Sequence, residues 1–165
     1  MTDRSRDWLA QAERDLDQSR ASKKDGRHEW ACFAAQQSAE KAVKALHLSL
    51  NQEAWGHMVA RLLSELPIEV PQPLIEKAKV IDGFYIPTRY ANGHPEGAPF
   101  EHYGTIQSTD AINYAGEILK FVRSQMAGPI DGGSGGQILG GKTGPFMPVV
   151  LPRGPGLFQI SFCLC

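Results

Sequence analysis

The stretch Ala31-Cys32-Phe33-Ala34-Ala35-Gln36-Gln37-Ser38-Ala39-Glu40-Lys41-Ala42-Val43-Lys44-Ala45-Leu46 decides how this chain folds. Ala35, Ala39, Ala42, Leu46 and Leu50 recur at spacings of three and four, which places them on one stripe of an α-helix. Alanines along such a stripe let neighbouring helices approach closely, so the spacing predicts a central helix over about His28 to Leu50. Trp30, Phe33 and Ala34 add a second apolar group and widen the surface to be buried. Gln36, Gln37, Glu40, Lys41 and Lys44 define the polar side, which is expected to be solvated, with Glu40 and Lys44 a favourable pair one turn apart.

Working outward, the same periodicity marks four more helices. One runs from about Arg4 to Ser22 on Leu9, Ala12, Leu16 and Ser19, and Asp25-Gly26 stops it. A short one from about His57 to Leu66 buries Val59, Leu62, Leu63 and Leu66 and ends at Pro67. A fourth starts near Pro71 or Pro73, carries Leu74, Ala78, Ile81 and Tyr85, and closes at Pro87. The last, from about Ser108 as N-cap to Met126, aligns Ile112, Ala115, Leu119, Val122 and Met126. Residues 87 to 105, punctuated by Pro87, Gly93, Pro95, Gly97, Pro99 and Gly104, read as one long loop of the kind that carries function. Apolar stripes on consecutive helices joined by turns predict an all-α, antiparallel up-and-down bundle of about five helices.

Composition changes sharply near Met126. Residues 127 to 165 hold ten of the seventeen glycines and five of the eleven prolines, which forbids long helices there. The expected organisation is a helical domain over 1–126 and a low-order Gly/Pro-rich C-terminal tail over 127–165. Within that tail Gly136-Gln137-Ile138-Leu139-Gly140-Gly141-Lys142-Thr143 satisfies the spacing of a phosphate-binding loop. Such a loop works only between a strand and a helix, and Gly144-Pro145 and Pro148 exclude the helix, so it is read as a decoy.

Charge and cysteine usage narrow the function classes. With 17 Lys+Arg against 18 Asp+Glu and a net charge of −1, no global field draws nucleic acid or an anionic membrane, so any polyanion contact must be local. Three cysteines, Cys32, Cys163 and Cys165, make no even disulfide framework, and the first residues are charged where a signal peptide is apolar. Together with the absence of an 18-residue apolar run, this predicts a cytoplasmic protein that does not enter a membrane. The five histidines are scattered without ligand spacing, so no metal and no cofactor is expected.

The central segment, followed by Trp55-Gly56-His57, Leu62-Leu63 and Phe84-Tyr85-Ile86-Pro87-Thr88-Arg89-Tyr90, resembles the HEPN domain, named for higher eukaryotes and prokaryotes nucleotide-binding. The order and spacing cover nearly all of residues 4 to 126. The resemblance implies a helical bundle that forms a homodimer, binds nucleotide or RNA, and often pairs with a nucleotidyltransferase in a toxin–antitoxin system. Some members are metal-independent ribonucleases whose signature is Arg, four to six residues, then His.

Arg89 and His94 fit that spacing. In such a site His94 would move the proton of a ribose 2′-hydroxyl and Arg89 would grip the phosphate bidentately. Two features depart from the signature: Tyr90 follows the arginine where a polar residue is usual, and Gly93-His94-Pro95 is loop. The other reading of the pair is a structural anchor with an exposed histidine, and the sequence leaves catalysis open between the two. Tyr90, Asn92, His102 and Tyr103 can line the same ligand-facing surface, the last two equally able to pack the loop, and Lys41 is a further candidate phosphate contact. His57 is expected to begin the third helix as a structural residue.

Overall fold

A computed structural model describes residues 3–128. Among these residues there are six helices and no strand: α1 (Ser5–Lys24), α2 (His28–Ser49), α3 (Val59–Ser64), α4 (Gln72–Asp82), α5 (Pro99–His102) and α6 (Thr105–Met126). The protein is all-α, as the periodicity predicts. The Gly/Pro-rich tail, apart from Ala127 and Gly128, lies outside the described residues, as do the Gly136–Thr143 run, Cys163 and Cys165.

Hydrogen bonds between helices fix their directions. Ser19 Oγ donates to the Ala31 carbonyl at 2.6 Å and Ser38 Oγ to the Ala12 carbonyl at 2.7 Å, so α1 and α2 run antiparallel. Lys23 Nζ donates to Thr109 Oγ1 at 2.6 Å and Arg123 pairs with Glu13 at 2.7 Å, which sets α6 antiparallel to α1. The Lys77–Glu117 pair joins α4 to α6, and Pro73 and Leu74 at the start of α4 border Phe121 and Ser124 towards the end of α6, so these two also run antiparallel. The four long helices therefore alternate in direction around one core.

That core is built on the alanine stripe. Ala35, Ala39, Ala42 and Leu46 of α2 pack with Ala12 and Leu16 of α1, Leu62 and Leu63 of α3, Ala78 and Ile81 of α4, and Ala111, Ala115, Ile118 and Leu119 of α6. Small side chains on α2 let neighbouring helices pack on it at close range, and the larger leucines and isoleucines of those neighbours complete the core. Cys32 lies in this core, where burial, reinforced by Glu29, pushes its thiol up to about 12, so it behaves as a small apolar residue.

Four expectations need correction. Leu50 lies past the end of α2 and is exposed, because the chain turns there through Asn51, whose φ of 57° is left-handed. Trp30, 47% exposed, and the half-buried Phe33 and Ala34 are not fully covered by the described residues. Ser108 is not the N-cap of α6. The helix starts a turn earlier at Thr105, where Gln107 Oε1 accepts the Gly104 N–H at 3.0 Å, and Ser108 is buried against His28 Nδ1 at 2.9 Å. The long loop is also more ordered than its prolines and glycines suggest, holding a 3-10 turn at Ala91–Gly93 and the single turn α5.

The helix α4 stops at Asp82 and does not reach Tyr85, because Asp82 serves another element. Its carboxylate accepts the N–H groups of Val59 and Ala60, at 2.5 and 3.1 Å, the first two donors of α3. A six-residue helix cannot sustain itself, so this non-local cap is what makes α3 form. Burial raises the Asp82 carboxyl above the ordinary aspartate range; the two N–H bonds pull it down and the Glu40 charge pushes it up. A raised carboxyl binds its proton more tightly in the folded state. The proton-linked part of its contribution to stability is therefore full below the unfolded value and lost as pH rises through the folded one, while the two N–H bonds of the cap remain. Asp82→Ala is expected to lower stability by about 1–2 kcal/mol in urea unfolding at neutral pH, the usual loss for a helix cap. A change below a few tenths would show that α3 does not depend on it.

Candidate functional site

Two surfaces carry the polar and aromatic side chains that the bundle does not need for packing. One is the face of α2 together with the loop over residues 83–104. The other lies further along the same helix, beside the connection to α3, and the two share Tyr85.

On the first surface Arg89 is held rigidly. Its Nε and Nη2 both donate to the Tyr85 carbonyl, at 3.0 and 2.8 Å, and its guanidinium sits over Phe33 at 4.4 Å and against Tyr85 and Tyr90 at 5.0 Å each. A planar cation stacked on aromatic rings loses little freedom when it later meets an anion. Its Nη1 has no hydrogen-bond partner among the described residues. Thr88, buried beside it, donates to the Phe84 carbonyl at 2.6 Å and closes the same turn.

Phe33 also lines a groove of about 480 Å³ with Trp30, Gln37, Lys41, Arg27 and Asp15. Arg89 and the groove thus share one aromatic wall. Lys41 is paired with Asp15 of α1, so it is not an unengaged phosphate contact, and the groove is mixed in sign.

His94, His102 and Tyr103 come together, but in a different arrangement from the one expected around Arg89. The imidazoles of His94 and His102 stack at 3.9 Å, 4° from parallel, and Tyr103 meets His94 edge-on at 5.8 Å. His94 Nε2 donates to the Pro87 carbonyl at 2.8 Å and His102 Nε2 to the Glu96 carbonyl at 2.7 Å, because a carbonyl can only accept. Tyr103 packs on Phe84 at 6.0 Å, and burial raises its phenol above the ordinary range. The stack clamps both ends of the loop. Gly93 is required inside it, since a Cβ there would lie 2.9 Å from the Pro87 Cα. Among the described residues neither a hydrogen bond nor a ring contact links Arg89 to His94. Asn92 and Tyr90 are exposed, Tyr90 with its ring against Arg89.

The second surface is the one sequence reasoning missed. Gln36 and Glu40 are buried, not solvated, although they stand on the polar side of α2. The Glu40 carboxylate accepts from Lys44 at 2.8 Å, as the spacing predicts, and also from His57 Nδ1 at 3.1 Å and Gln36 at 3.2 Å. Gln36 donates in addition to the His57 carbonyl at 3.0 Å. His57 does not begin α3; it stands two residues before Val59 and stacks on Tyr85 at 4.7 Å. The signal in the sequence was the step of four from Gln36 to Glu40 to Lys44, a polar stripe as regular as the alanine one.

Comparison with known proteins places this fold. The family model for the HEPN domain matches residues 5–125. The chain belongs to the HEPN family. Among solved structures, the Thermus thermophilus protein TT1696 is 47% identical with a TM-score of 0.74, over 75% of this chain and 99% of that one. An archaeal HEPN homologue, ST0689, is 40% identical with a TM-score of 0.67, over 76% and 99%. A HEPN domain protein from Thermotoga maritima, tm0613, is 32% identical with a TM-score of 0.60, over 73% and 98%. No curated protein matches the chain. Among the described residues of this HEPN domain no group of three or more His, Cys, Asp or Glu is placed to hold a metal ion. No described helix is long and apolar enough to cross a membrane.

Proposed function

We propose that this HEPN domain is a dimeric module that binds nucleotide or single-stranded RNA, with Arg89 as its phosphate contact, and that it docks a nucleotidyltransferase partner in a toxin–antitoxin-like pair. The observation that carries this is the state of Arg89: a guanidinium fixed over Phe33, with a donor edge remaining, at the rim of a groove walled by exposed Trp30. Aromatic faces and a fixed cation are what unstacked bases and their phosphates require. The mixed charge of the groove, Arg27 and Lys41 against Asp15 and Asp25, supports a contact dominated by stacking with a shallow salt dependence.

Catalysis by Arg89 and His94 is the second reading, and its support is their spacing. The geometry favours binding, because the His94 Nε2 is engaged by the Pro87 carbonyl and the ring by His102. Dimerisation is supported by apolar side chains outside the groove that the described residues leave uncovered: Ile86, Phe100 and Ile106 are 46–76% exposed. An isologous contact would bury them. The nucleotidyltransferase partner rests on the family resemblance.

Two measurements test these proposals. Purified protein incubated with total RNA in EDTA should retain RNA on a filter without shortening it, and Arg89→Ala should lose that retention with an unchanged circular dichroism spectrum. RNA cleavage that survives EDTA and disappears in His94→Ala would establish the ribonuclease instead, and an Arg89→Ala protein that melts would make the arginine a structural anchor. Light scattering should give twice the chain mass at micromolar concentration, and a stable monomer would contradict the dimer.

A further inference from the structure

At the α3 end of α2 a cleft of about 340 Å³ is lined by Trp8, Trp55, Gly56, His57, Lys44 and Leu48. Its floor is chemically organised. The buried Glu40 accepts from His57 Nδ1, and a carboxylate cannot donate, so the ring carries a proton on Nδ1, and in the neutral imidazole Nε2 is then the acceptor. The Tyr85 ring, stacked 16° from parallel on the imidazole, fixes its plane. Lys44 lines the cleft beside it, 15% exposed and held by the same carboxylate, with further N–H donors to offer. A hydrogen-bond acceptor and a donor therefore stand side by side at the floor.

The walls are indoles. Trp55 is 78% exposed and Trp8 37%, and neither is needed by the core. Large aromatic surfaces left open to water are unfavourable unless something covers them. Gly56, with φ +98°, turns the backbone between Trp55 and His57 in a conformation that L side chains rarely adopt, which lets one short segment present both the wall and the floor. The charges balance, Lys44 against Glu40, so the cleft offers nothing that would select a phosphate.

We propose that this cleft binds an uncharged planar nitrogen heterocycle, a nucleobase, stacked on Trp55 and Trp8 with a ring or exocyclic N–H donated to His57 Nε2 and an adjacent acceptor facing Lys44. Glu40 is the positioning residue beneath it. This deepens the nucleotide or RNA reading, on which it rests, by separating base recognition here from phosphate recognition at Arg89. The heterocycle can arrive as a free nucleoside or as one base of an RNA strand.

The test titrates the full chain, as a Trp30→Phe variant that reports only Trp8 and Trp55, with adenosine, guanosine, cytidine and uridine. At least one nucleoside should quench the remaining tryptophan fluorescence saturably. Trp55→Leu, at an exposed position, should weaken that binding about tenfold, the usual worth of one aromatic–base stack, read by equilibrium dialysis. His57→Ala should weaken it similarly, whereas added inorganic phosphate should not compete with it, since the nucleoside carries none. Absence of saturable quenching by all four, or Trp55→Leu binding as tightly as the parent, overturns the proposal. RNA retention without nucleoside binding leaves the module reading standing and removes the cleft; nucleoside binding without RNA retention keeps the cleft and removes RNA as the module's ligand.

Discussion

One buried carboxylate holds the architecture together. Glu40 sits on the central helix at 5% exposure and is made tolerable there by Lys44, His57 and Gln36, each of which donates to it. A charge in that position without partners would be expelled or neutralised. With them it draws the 50–58 connection down onto α2, places His57 against Tyr85, and so ties the start of α3 to the end of α4. Asp82 completes the same circuit from the other side by capping α3, its carboxyl raised by burial and, in smaller part, by the Glu40 charge.

The loop over residues 83–104 inherits its rigidity from this arrangement. Tyr85, pinned by His57, supplies the carbonyl that fixes Arg89, and Arg89 in turn rests on Phe33 of α2. Further along, the stacked imidazoles of His94 and His102 bond back to Pro87 and Glu96. A segment this rich in glycine and proline would otherwise lose much conformational entropy on binding. Here the ordering is already made within the chain, which is the physical condition for a preformed binding surface.

Much of the fold was legible because it depends on local periodicity. The Ala35, Ala39, Ala42, Leu46 stripe, the breaks at Pro67 and Pro87, and the apolar series in α6 locate the long helices within a few residues. What escaped was non-local. Nothing near Asp82 announces that its carboxylate caps α3 more than twenty residues back, so periodicity alone carries α4 on to Tyr85. The Glu40–Lys44 pair was visible in its spacing, yet its burial comes from His57, whose position depends on a left-handed glycine and a connection with no periodicity. Likewise the sequence presents His94 and His102 as separate candidates around Arg89, because ring stacking across a stretch of irregular loop has no sequence signature.

The measurement that bears most directly on the role of the buried carboxylate is a double-mutant cycle between Glu40→Gln and Lys44→Met, read by equilibrium urea unfolding. A compensated buried charge predicts that each single change costs roughly 3–5 kcal/mol and that the double mutant loses far less than their sum, a strong coupling. Two small, additive effects would contradict it, and would mean that Glu40 is a tolerated passenger in a bundle held together by its alanine stripe alone.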